Sequence, residues 1–166
     1  MKRNEILILT GMSGAGRSTV AHCLEDLGWY VVDNLPPSLL PALAKQSSDG
    51  ELPALAVVVD VRGGKFFDDL NAALANLKNS GINFRLLFLD ASDQSLVARF
   101  ESTRRPHPLQ GGDRISDGID RERAKLHELR ESADVVIDTS NLNVHQLAKR
   151  TSEIFAEGMI EGVRLN

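Results

Sequence analysis

The stretch Ile6-Leu7-Ile8-Leu9-Thr10-Gly11-Met12-Ser13-Gly14-Ala15-Gly16-Arg17-Ser18-Thr19 governs how the rest of the chain is read. An apolar strand runs into a glycine-rich loop that opens a helix, which is the layout of a phosphate-binding P-loop. The pattern of Gly, four residues, then Gly-Lys-Ser/Thr is met everywhere except at the lysine, which is Arg17. Glycine at 11, 14 and 16 frees the backbone to turn successive N–H groups toward phosphate oxygens. The helix that starts near Arg17 adds its own unpaired N–H groups and the positive end of its dipole. The motif therefore predicts a nucleoside triphosphate on Gly11 to Thr19, with the Ser18 hydroxyl on Mg²⁺. Guanidinium is planar and bulkier than an ammonium and prefers a bidentate grip, so Arg17 bears on transition-state geometry more than on binding.

Outward from this motif the chain alternates between strand and helix patterns, the signature of a parallel sheet covered on both faces. Strands are expected at 5–10, 29–33, 54–61, 84–90 and 133–139. Helices are expected at about 17–27, 37–46, 66–79, 92–104 and 119–132, with a last one from about 143. Pro106, Pro108, Gly111, Gly112 and Gly118 make 105–118 read as a loop. The fold class that follows is α/β: a P-loop NTPase-type three-layer αβα sandwich on a five-stranded parallel sheet, small-kinase-like. With 166 residues and no repeat or linker, the chain is read as one domain over 1–166.

In such a sheet ligands sit beyond the carboxyl ends of the strands. Asp60 closes the most apolar strand, where a P-loop protein keeps the carboxylate that organises Mg²⁺ through water. Asp33 holds the equivalent place on the second strand and is a candidate for activating a nucleophile; Asp90 reads as a turn former. Seven of the thirteen arginines fall at 99, 104, 105, 114, 121, 123 and 130. The segment from Leu89 to Pro108 looks like the arm and lid of a small P-loop kinase, in which Arg104 and Arg105 would close over developing phosphate charge. Asp138-Thr139-Ser140-Asn141 follows the last strand, where such folds commonly hold the base, although a turn has the same composition. Trp29 and Tyr30 read as core, and His22, His127 and His145 lack metal-ligand companions.

A net charge of −4 argues against nucleic-acid binding by bulk electrostatics. No apolar run is long enough to span a bilayer, and the short lead-in before the first strand is no signal peptide. Cys23 is the single cysteine and lies in a helical apolar pattern, as expected in a reducing, cytoplasmic setting.

Taken together, the P-loop, Val32-Asp33-Asn34-Leu35-Pro36-Pro37, Val59-Asp60-Val61-Arg62, and Leu87 to Ser92 through Thr103 to Leu109 resemble the RapZ-like (YvcJ-like) family of bacterial P-loop proteins, over essentially the whole chain. The resemblance implies binding of ATP and GTP with Mg²⁺ and weak hydrolysis. It assigns ATP to the P-loop and GTP to a segment matching Asp60, Val61, Arg62 and Gly63, whose usual final residue is Asn. Better-studied members act as adaptors that direct small-RNA cleavage by an RNase through an additional C-terminal domain, and members often self-associate. On that reading this chain is an N-terminal nucleotide-binding regulatory domain, and RNA contacts belong to the further domain. The alternative reading is a kinase for a small metabolite or nucleotide.

Overall fold

The structure, a computed structural model, describes residues 5–48, 54–59, 64–103 and 115–155. Its elements run β1 (Glu5–Gly11), α1 (Arg17–Asp26), β2 (Tyr30–Leu35), a 3-10 turn at Pro37–Leu39, α2 (Leu40–Ser48), β3 (Ala54–Val59) and α3 (Gly64–Asn79). They continue with β4 (Arg85–Asp90), α4 (Asp93–Thr103), α5 (Ile115–Ser132), β5 (Val135–Asp138) and α6 (Val144–Phe155). All strand pairs are parallel, and the five strands lie in the order β2-β3-β1-β4-β5. β1 is thus central, between β3 and β4, and the chain crosses from one side of it to the other when it passes from β3 to β4. This is the topological switch point of a doubly wound sheet, and the glycine loop leaves β1 into that crevice.

Burial explains the strand sequences. Ile6 to Gly11, Ala54 to Val59 and Leu86 to Asp90 are buried along their whole length, because helices cover both faces of the central strands. Leu7, Ile8, Leu9, Leu55, Leu87 and Phe88 form the floor under the loop. Two features of the periphery then fix its far side. Asn143 and Gln146 cap α6 reciprocally, each side-chain oxygen accepting the other's backbone N–H at 2.9 and 2.8 Å. Leu147 of that helix is buried against Gly16, where a β-carbon would stand 2.6 Å from its Cδ2.

The sequence expectations need correction in three places. Residues 115–118 are not loop but the first turn of α5, where Ile115 packs on the core and Gly118 is buried. Tyr30 is not core: β2 pairs only with β3, so as an edge strand it leaves Tyr30 52% exposed while Trp29 is buried edge-to-face on Phe155. β2 also runs past Asp33 to Leu35. Val32 pairs with Val57 and Leu35 with Val59, so Asp33 and Asn34 together face one residue of β3, a bulge that Asn34 accommodates at a φ of 56°.

Candidate phosphate site

The loop from Gly11 to Gly16 is shaped by backbone conformations that only glycine adopts readily, with φ of 88° at Gly14 and 107° at Gly16. Its ends are pinned by Met12 N–H to Leu89 C=O and Ala15 N–H to Met12 C=O, both 3.0 Å, and by Val20 N–H to Gly16 C=O at 3.1 Å. The N–H groups of Gly14, Gly16, Arg17, Ser18 and Thr19 have no acceptor among the described residues. A row of open donors on a glycine loop at a helix N-terminus is a nest for an anion. Gly14 and Ser18 are exposed, so the row is open to a ligand.

If the loop amides face a ligand, its carbonyls need partners elsewhere, and side chains from distant elements supply them. Arg99 of α4 donates to Gly14 C=O at 2.9 Å and to the Thr139 hydroxyl at 3.1 Å, and also binds Thr139 C=O. Thr139, just past β5 and buried, donates through Oγ1 to Ala15 C=O at 2.9 Å and lies 3.2 Å from Asp90 C=O. Glu122 of α5 is only 3% exposed and accepts both the Ser13 N–H at 3.0 Å and the Ser13 hydroxyl at 2.7 Å.

The Arg17 guanidinium is half-buried and reaches across to Val59 C=O, 3.5 Å away at the end of β3. Its other N–H groups have no acceptor among the described residues. Asp33 is exposed at the carboxyl end of β2. Asp60, Val61, Arg62, Gly63, Arg104, Arg105 and His107 lie outside the described residues.

Two of the clustered arginines serve Asp90 rather than an open site. Asp90 is not merely a turn former. Its carboxylate accepts Ala91 N–H at 2.7 Å, Arg123 at 2.9 Å and Arg130 at 2.8 Å, and Arg123 continues to Asp93 at 2.6 Å. Partial burial works against the Arg123 charge, yet the hydrogen bonds and attraction of Asp90 and then Asp93 hold its pKa above the ordinary value.

The segment read as a possible base site is likewise used internally. Asp138 accepts the Ser140 hydroxyl at 2.5 Å and its N–H at 2.9 Å, Ser140 Oγ accepts Ser92 N–H, and Ser95 donates to Ser140 C=O. The Ser140 hydroxyl, then its N–H, holds the Asp138 carboxyl below the usual carboxylate range. A lowered folded-state value contributes stability above the unfolded value that is lost as pH falls through the folded one. Asp138→Asn is therefore expected to be slightly less stable than the parent at pH 7, by under about 1 kcal/mol for so exposed a group. The gap should close below about pH 3 in urea denaturation followed across pH.

The family model for the RapZ-like N-terminal domain matches residues 4–158. The chain belongs to that family. The RapZ-like domain is 58% identical over 154 residues to a protein of Streptomyces avermitilis named nucleotide-binding protein, covering 92% of this chain and 52% of that one. An Arthrobacter protein of the same name is 59% identical over 164 residues, covering 98% and 53%. The chain thus spans about half the length of the curated relatives it matches. Among solved structures, the tunicamycin resistance protein of Deinococcus radiodurans has a TM-score of 0.61 at 21% identity, over 91% of this chain and 95% of that one. Shikimate kinase from Acinetobacter baumannii, in complex with shikimate, gives 0.58 at 15% identity, over 94% and 96%. The RapZ-like domain therefore has the αβα fold of P-loop kinases, and among its described residues no helix is long and apolar enough to cross a membrane.

Glu122, Thr139 and Arg99 are the residues that motif reading misses. Thr139 lies in the segment expected at the base and Arg99 in the arginine cluster, but neither position signals that the side chain holds a loop carbonyl. Glu122 carried no signal beyond a carboxylate at a position where helical periodicity calls for an apolar residue between Ile119 and Leu126.

Proposed function

We propose that the RapZ-like domain binds ATP or GTP with Mg²⁺, hydrolyses it slowly, and serves as the nucleotide-responsive part of a longer adaptor. The observation that carries this reading is the row of open N–H groups at Gly14 and from Gly16 to Thr19 on a loop braced from three other elements. The names of its relatives support a nucleotide ligand. The donor set suits a polyphosphate: neutral amides bind without a desolvated counter-charge, and Arg17 adds one cation.

In this mechanism the amides of Gly14 and of Gly16 to Thr19 hold the phosphates and Arg17 turns toward the outermost one. The Ser18 hydroxyl and, through water, Asp60 would hold Mg²⁺, which neutralises charge between the phosphates. Water attacks the γ-phosphorus, the bond from that phosphorus to the bridging oxygen breaks, and nucleoside diphosphate and inorganic phosphate leave. Arg104 and Arg105 are assigned to stabilising the equatorial oxygens. Any contact with small RNA or an RNase is assigned to chain beyond this domain.

Calorimetric titration with ATP and with GTP, each with and without Mg²⁺, tests the reading. Binding that tightens with Mg²⁺ is expected, and absence of heat and of thermal shift with both nucleotides would overturn it. Arg17→Ala is expected to weaken binding about tenfold, the loss of one charge-assisted contact. Unchanged affinity would remove Arg17 from the site.

A further inference from the structure

A carboxylate buried directly behind a phosphate-binding loop calls for a structural reason, since burial opposes its charge. Glu122 occupies that place, 3% exposed, with both oxygens on Ser13. We infer that Glu122 is a positioning residue for the nucleotide: it fixes the peptide between Met12 and Ser13 so that the loop amides beyond it stay open for phosphate.

The geometry supports this step by step. Glu122 draws the Ser13 N–H to the rear of the loop, away from the open row. Rotation of that peptide also sets Met12 C=O, which accepts Ala15 N–H at 3.0 Å and closes the turn that leaves Gly14 between them without an acceptor. Arg99 and Thr139 then take the carbonyls of Gly14 and Ala15, the next two residues, each at 2.9 Å. Successive residues 13, 14 and 15 are each held by one side chain from α5, α4 and the end of β5. Without Glu122 the Ser13 N–H is a buried donor in need of an acceptor, and the peptide gains by turning, which disturbs the row.

The role lies in hydrogen-bond geometry at Ser13, which gives the test a sign. Glu122→Gln keeps an acceptor for the Ser13 N–H and offers its NH₂ to the hydroxyl. It should bind ATP within about threefold of the parent. Glu122→Ala should lose tenfold or more, and Ser13→Ala, which retains the N–H bond, no more than about threefold. If Glu122→Ala does not fold, Glu122→Met fills the same space without an acceptor and carries the same expectation.

Because the inference rests on the nucleotide reading, a second readout is taken without ligand. Amide hydrogen exchange of the free protein should speed up over residues 12–19 in Glu122→Ala and return to the parent pattern in Glu122→Gln. A parent that binds neither nucleotide while the exchange result holds would overturn the nucleotide reading and leave the brace standing as a loop-shaping element. Unchanged exchange over 12–19, or unchanged ATP affinity with only a lower melting temperature, would overturn the inference.

Discussion

Replacing Gly11 with alanine is expected to destabilise the domain by about 3 kcal/mol or more, among the largest effects of any single methyl group here. A β-carbon at Gly11 would stand 2.3 Å from Leu89 O and 2.7 Å from Leu89 N, both backbone atoms of the neighbouring strand, and the residue has a φ of 150°. No rotamer change relieves such an overlap. Either β1 and β4 part, breaking the Gly11–Leu89 pairing and the bond from Met12 N–H to Leu89 C=O, or the loop is displaced. Gly28→Ala is the control, since a β-carbon there meets nothing within 4 Å and only its φ of 98° opposes alanine, for about 1 kcal/mol. Urea denaturation of both variants checks the expectation; a Gly11→Ala protein within 1 kcal/mol of the parent would show that the two strands tolerate separation at this point.

Asp90→Ala should come second, at about 2 kcal/mol. The Asp90 side chain is 11% exposed and serves three donors, Ala91 N–H, Arg123 and Arg130, so its loss leaves a buried amide and two guanidiniums seeking water. The arginines are 36% and 45% exposed and Arg123 keeps Asp93, which holds the cost below that of a fully buried pair. Asp90→Asn, which preserves the Ala91 bond, should recover about half of the loss. Equal denaturation midpoints for Asp90→Ala and the parent would mean that the ion pairs are solvated equivalents of what water provides.

The fold was legible because its signals are local. Apolar runs such as Ala54 to Val59 and the glycine spacing at 11, 14 and 16 each follow from one stretch of chain, and the structure follows them closely. Errors arose where tertiary context decides. Tyr30 looked buried because aromatic residues in strands usually are, but whether a strand is at an edge is a property of the sheet. Residues 115–118 looked like loop because Gly118 is a helix breaker in isolation, whereas burial in α5 repays its cost. In the site, the donors were readable and the acceptors were not. The arginine cluster announced charge without its partner, and two of its members are bound to Asp90. Arg99 belongs to that cluster and is a carbonyl donor by position.

The phosphate loop precedes most of this domain along the chain, yet it depends on residues far downstream of it. Ser13 is held by a residue 109 positions downstream and Ala15 by one 124 positions downstream. A nascent chain that has finished the glycine motif and its helix still lacks the contacts that orient the loop, and acquires them only once β5 has been made and paired. Competence for a ligand at the amino-terminal motif therefore certifies that the whole sheet has been assembled, so a truncated or half-folded chain carries the motif's letters without its grip.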